Sequence, residues 1–197
     1  MWNSATPTRR FPMLRPMPLA YPDPPLSQDG LRLRPWALDD IDDAVRCCND
    51  SEVRRFLPPI PIPYTALDAE EFISGADDAL QRDSMSLVTS DAATGALRGA
   101  VGMRLLDPGI AQFGYWVDPQ ARGRGVATTA LRLVSRWALR RLDVARLQLF
   151  TDVDNEISMR VAERAGFVCE GVLRNWYDLR GERRDAVMYS LLSRDAA

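Results

Sequence analysis

Asp118-Pro119-Gln120-Ala121-Arg122-Gly123-Arg124-Gly125-Val126-Ala127 joins a strand-like run, Phe113-Gly114-Tyr115-Trp116-Val117, to a stretch with Ala127, Ala130, Leu131, Val134, Trp137 and Ala138 at helical spacing. The loop between them is suited to a phosphate. Gly123 and Gly125 let the backbone approach a bulky anion and take conformations closed to other residues. The amides that open the following helix have no intrahelical acceptor and carry the positive end of its dipole. Arg122 and Arg124 add two permanent charges whose fork geometry fits phosphate oxygens. Neither a Walker ending nor a Rossmann glycine triplet is present. The expected ligand therefore carries a pyrophosphate but is not held in either of those ways.

Working outward from this loop, the chain punctuates into alternating elements. Upstream, Leu31–Trp36 alternates as a first strand, Asp39 and Asp40 open a helix, Ser51–Phe56 forms a shorter helical piece, and Thr65 caps another helix with Leu67, Phe72, Ile73 and Leu80 on its apolar side. Strands follow over Met85–Thr89, Leu97–Leu106 and Ile110–Val117. Downstream of the long helix come a strand over Arg146–Thr151, a helix over Ile157–Ala165 closed by Gly166, and strands over Phe167–Leu173 and Ala186–Leu192. The charged stretch between the last two, with Trp176, Tyr177, Asp178, Arg180, Arg183 and Arg184, reads as a solvated hairpin tip. This order makes a mixed α/β sheet with helices on both faces.

The 197 residues suit one buried domain, and a formal charge of −2 gives no overall pull toward nucleic acid or an anionic membrane. The chain has no histidine and all its basic residues are arginine, which removes imidazole and lysine chemistry together. Cys47, Cys48 and Cys169 lack metal-ligand spacing and read as buried free thiols, so no metal is expected. No apolar run is long enough to span a bilayer and the N-terminus lacks an apolar signal core, so a cytoplasmic protein is expected. Residues 1–28 hold seven of the 14 prolines and read as a flexible or polyproline-like arm preceding a single domain over 29–197.

The run Gln120-x-x-Gly123-x-Gly125, with Gly114-Tyr115-Trp116-Val117 before it and Asn155-x-x-Ser158 after it, resembles the GCN5-related N-acetyltransferases (GNAT). The resemblance runs from about residue 29 to 193 and is nearest the branch of ribosomal-protein alanine acetyltransferases. It implies a mostly antiparallel central sheet of about six to seven strands, with acetyl-CoA as acyl donor and a primary amine as acceptor. That amine belongs to a protein N-terminus or a small molecule. The enzyme would be a monomer or homodimer without nucleic-acid or membrane partners. Residue by residue, it implies that the strand ending in Trp116 and Val117 parts from its neighbour at a bulge and pairs with the pantetheine arm. Arg122, Gly123, Arg124, Gly125, Val126 and Ala127 would hold the pyrophosphate. Asn155 would contact the arm, and Ser158 would sit near the sulfur and protonate the departing thiolate.

The base does not follow from the resemblance. Many relatives carry a carboxylate where this chain has Gln112, and others carry a Glu where it has Tyr177. Three readings stay open. Tyr177 positions the substrate or a water; Asp178 or a carboxylate near Glu70 and Glu71 acts through water; or the amine arrives neutral and proximity suffices. The alternatives to acetyl transfer are a nonenzymatic acyl-CoA sensor, transfer of a larger acyl group such as succinyl, and a nucleotide-binding protein.

Overall fold

The structure is a computed structural model and describes residues 18–57, 60–107 and 109–195. Among these, eight strands form one sheet in the order β1-β2-β3-β4-β5-β6-β8-β7: β1 Ser27–Gln28, β2 Leu31–Arg34, β3 Ser84–Asp91, β4 Leu97–Asp107, β5 Gly109–Val117, β6 Val144–Asp152, β7 Val168–Leu179 and β8 Glu182–Leu192. Every pairing is antiparallel except β5 with β6. The strand beyond the expected number is β1, which has only two residues. The arm expected over 1–28 lies outside the described residues as far as 17. From residue 18 the chain is packed on the body of the protein, with Leu19 buried in the main core and Tyr21 and Leu26 against it.

The sheet separates two unequal cores. On one face β3, β4 and β5 send Met85 and Leu87, Val101 and Met103, and Ala111 and Phe113 toward α5 (Val126–Arg141), whose Ala130, Leu131, Val134 and Ala138 are buried. Burial of a side chain such as Leu131 or Val134 contributes about 2 kcal/mol. α6 (Glu156–Arg164) packs beside α5 on this face. The intervening residues of the same strands, Ser86, Gly102 and Gly114, stand in cross-strand register on the opposite face. That face is covered only in part, by α1 (Ile41–Cys48), α2 (Ser51–Phe56) and α3 (Ala66–Ser74), while Leu80 of α4 (Ala76–Gln81) packs against the first core. Two glycines and a serine leave an open floor where the helices stop.

Several elements differ from expectation for local reasons. Asp39 and Asp40 lie in a single 3-10 turn before α1, where Asp40 is buried and receives two 2.7 Å bonds from Arg34. The Thr65 helix breaks at Gly75, and Leu67 and Phe72 are exposed rather than core. Cys47 and Cys48 are buried as expected, but Cys169 is exposed on the edge strand β7. The charged hairpin is solvated at Trp176, Asp178, Arg180 and Arg183 as expected, but its pairing runs further: Tyr177, Asp178 and Leu179 pair with Arg184, Arg183 and Glu182, so β7 and β8 run on to a turn at Arg180 and Gly181.

Candidate active site

β5 and β6 begin side by side and then part. Gly109–Gln112 pair with Val144–Gln148, but beyond Gln112 the strand β5 is bonded only to β4, through Val117↔Gly99 to Phe113↔Met103. The expected bulge within Phe113–Val117 is not there; the register shifts lie at Gly109/Ile110 and at Leu105/Asp107. The strands diverge instead because Leu149 and Thr151 of β6 stay paired to β8, while β5 follows β4. The result is a cleft of about 850 Å³ crossing the sheet, with Trp116, Val117, Asn155 and Ser158 on its walls. One long side of β5 thus offers unpaired backbone groups to whatever enters.

At one end the cleft meets the glycine–arginine loop. Gly123 and Gly125 have φ of 75° and 76°, the left-handed region, and Gly125 is the N-cap of α5. The first backbone bond into the helix runs from Thr129 N–H to the Gly125 carbonyl, so the amides of Val126 and Ala127 stand at the free helix end while their side chains are buried. The loop is anchored by Asp118, quoted above only as its first residue. Asp118 is buried, receives Arg46 Nη1 and Nη2 at 3.0 and 2.9 Å, and accepts from the Gln120 amide at 2.9 Å. The Arg46 guanidinium holds its carboxyl below the ordinary range against the opposing effect of burial. Arg124 is exposed, whereas Arg122 makes an ion pair with Asp50, the N-cap of α2. The loop is therefore tied to the helix on the opposite side of the cleft.

Asn155 and Ser158 are brought together as their spacing predicts. Asn155 Oδ1 accepts from the Ser158 amide at 3.1 Å and caps α6. Tyr115, quoted above only as part of a strand, is the residue that holds the Ser158 hydroxyl. Its Oη lies 2.8 Å from Ser158 Oγ, with either atom able to donate, and 3.1 Å from the Ser158 carbonyl. Burial pushes the Tyr115 phenol up to about 12, so it is protonated at neutral pH. When Tyr115 donates to Oγ, the serine proton is free to point elsewhere.

Tyr177 reaches the cleft from β7 and donates to Asp152 Oδ2 at 2.6 Å. Asp152 ends β6, is buried, and also receives Arg184 Nε at 3.0 Å, Arg184 Nη2 at 3.1 Å and the Asp154 amide at 2.9 Å. Burial pushes the Asp152 carboxyl up, but the bonds from Arg184 and Tyr177 outweigh it and leave it below its ordinary value. Burial and the Asp152 charge in turn raise the Tyr177 phenol. Gln112 sits at the fork of the strands and accepts from Gln148 Nε2 at 3.3 Å. Asp178, by contrast, is spent on the Gly181 amide at the turn, and Glu70 and Glu71 are exposed on α3; none of the three lines the cleft.

Residues 30–168 match the family described as acetyltransferase (GNAT) domain. The chain belongs to the GNAT acetyltransferases. It is accordingly an enzyme, an N-acetyltransferase whose acyl donor is acetyl-CoA, and the parted strands and the free amides at the α5 N-terminus fit that donor. YdaF of Bacillus subtilis, named as a candidate ribosomal N-acetyltransferase, is 36% identical over 103 residues, which are 51% of this chain and 56% of that protein. The match thus spans little more than half of that relative. An uncharacterized N-acetyltransferase of Bacillus licheniformis, p20, is 26% identical over 176 residues, 87% of this chain and 98% of its own length. Among solved structures, the RimL ribosomal L7/L12 alpha-N-protein acetyltransferase in complex with coenzyme A superposes with a TM-score of 0.76 at 22% identity, covering 86% of this chain and 97% of that one. That likeness is one of fold. No helix among the described residues is long and apolar enough to cross a membrane.

Proposed function

We propose that this GNAT enzyme transfers the acetyl group of acetyl-CoA to a primary amine, on a small molecule or a protein N-terminus, by direct attack in the cytoplasm. The observation that carries the reading is the parting of β5 from β6 beside the amide-lined N-terminus of α5. The pantetheine arm lies along the freed edge of β5 at Trp116 and Val117, with Asn155 across from it. The pyrophosphate meets the loop from Arg122 to Ala127, where Arg122 exchanges Asp50 for phosphate and Arg124 adds charge from solvent. A backbone amide of β5 faces the thioester carbonyl and stabilises the oxyanion formed when the amine attacks.

Collapse of the tetrahedral intermediate breaks the carbon–sulfur bond and releases CoA thiolate. Ser158 Oγ gives its proton to that sulfur, and the proton that the amine nitrogen loses as the amide forms returns to Ser158 by way of water and the Tyr115 hydroxyl bonded to the same oxygen. Tyr177 orients the amine: its proton is committed to Asp152, which leaves its oxygen lone pairs to accept from an N–H in the cleft. A covalent acetyl-cysteine route is disfavoured, because Cys48, the thiol that lines the cleft, is pushed up to about 11 by burial and is a protonated, weak nucleophile at neutral pH.

Ser158→Ala is expected to lower kcat by about 100-fold while the acetyl-CoA dissociation constant changes by less than about twofold. Acetyl-CoA-dependent CoA release and calorimetric titration of the same variant check this. Unchanged turnover would remove Ser158 from the mechanism.

A further inference from the structure

Six charged side chains line the cleft: Glu52, Arg104, Arg122, Asp152, Arg160 and Arg164. Three have partners that account for them: Arg122 with Asp50, Asp152 with Arg184, and Arg160 with Glu156. Arg164 closes the far end of α6, beyond Asn155 and Ser158. Two charges remain on the acceptor side of the sheet. Glu52 stands on α2, and Arg104 stands on β4 as the direct cross-strand neighbour of Gln112. Both side chains are exposed at the cleft, and among the described residues neither has a hydrogen-bond or ion-pair partner in the protein.

Arg104 occupies an unusual place. It follows Gly102 along the open floor, in the row Arg104↔Gln112↔Gln148 at the fork where β5 and β6 part. Elsewhere the cleft is lined by the aromatic side chains Trp36, Phe56, Phe72 and Phe150. An exposed guanidinium that lines the cleft beside the fork, with no carboxylate among the described residues to neutralise it, is available to an anionic group of the ligand. It also repels a cation. A polyamine would bring several positive charges into a cleft that offers only Glu52 to meet them.

From this arrangement we infer that the acceptor is a small amine that carries a carboxylate, an α-amino acid with an apolar side chain, whose carboxylate is received by Arg104. The inference rests on the acetyl-transfer reading and narrows its acceptor. One free positive and one free negative side chain match the two charges of a zwitterion, and the aromatic walls receive the side chain.

The test compares the common amino acids, each presented as free acid, as amide and as decarboxylated amine, in an acetyl-CoA-dependent CoA-release assay. The expected result is that at least one apolar amino acid is used with kcat/KM about tenfold or more above its amide and its decarboxylated amine. Arg104→Ala brings the acid-to-amide ratio toward one, and Arg104→Lys restores part of it. Amides or amines used as well as the acids, or a ratio unmoved by Arg104→Ala, overturn the inference while leaving acetyl transfer intact. Peptides with a free N-terminus used in preference to every amino acid overturn it in favour of a protein acceptor. An absence of turnover across the panel overturns this acceptor class, and an absence of acetyl-CoA binding in the same preparation overturns the acetyl-transfer reading beneath it.

Discussion

Gly99→Ala is expected to lower stability by about 3 kcal/mol and to weaken acetyl-CoA binding by about tenfold or more, although Gly99 lies in β4 and touches no ligand. A Cβ added there would stand 2.4 Å from the Trp116 carbonyl oxygen and 3.1 Å from Val117 Cα. Both are backbone atoms of β5, so no side chain can swing aside. Relief requires β4 and β5 to separate at the pair Gly99↔Val117, which is the stretch that carries the free edge toward the cleft. The stability loss corresponds to a fall in Tm of about 6–12 °C for a chain of this size. Gly102→Ala is the control, because its Cβ would meet the Met85 carbonyl at an ordinary 3.6 Å. Thermal unfolding and acetyl-CoA titration of the two variants check the claim, and a Gly99→Ala protein that melts and binds like the parent would refute the register described for β4 and β5.

Asp152→Ala is expected to cost about 3 kcal/mol at neutral pH and to reduce turnover by about tenfold. Asp152 is buried, and its removal frees the Tyr177 hydroxyl and the Arg184 guanidinium at once. The pH dependence has a definite sign. The folded Asp152 carboxyl lies below its unfolded value, so its contribution is present above the ordinary carboxylate pKa of about 3.9 and is lost as pH falls through the folded value. The difference in Tm between parent and variant should therefore be largest near neutrality and shrink as pH falls from the ordinary carboxylate value through the lowered folded one. A constant difference across that range would mean that the loss comes from packing rather than from charge.

The parts of this protein that could be read from sequence are those governed by local rules. The left-handed glycines of the loop, the α5 stripe from Ala127 to Ala138 and the Asn155 cap each depend on residues a few positions apart, and each stands where its spacing places it. The residues that escaped are defined by contacts between distant elements. Tyr115 acquires its place beside Ser158 only when β5 and α6 meet across the cleft. Asp118 shows its anchoring role only once Arg46 reaches it from α1. Asp152 acquires its partners only when Tyr177 and Arg184 reach it from a charged hairpin that is otherwise solvated. Mutual pairing is what makes that stretch strand, because Arg184 and Tyr177 face the same buried carboxylate from adjacent strands. The GNAT motifs alone also suggested a bulge in Phe113–Val117, whereas the cleft arises from β6 keeping to β8.

Calorimetric titration of the purified protein with acetyl-CoA tests the central claim most directly, since every catalytic role above depends on the cleft between β5 and β6 and the loop at its end. The account predicts saturable binding of one acetyl-CoA per chain, weakened by Gly123→Val and by Arg122→Ala while the fold remains intact by circular dichroism. Well-folded protein that takes up no acetyl-CoA, or binding indifferent to both substitutions, would contradict it.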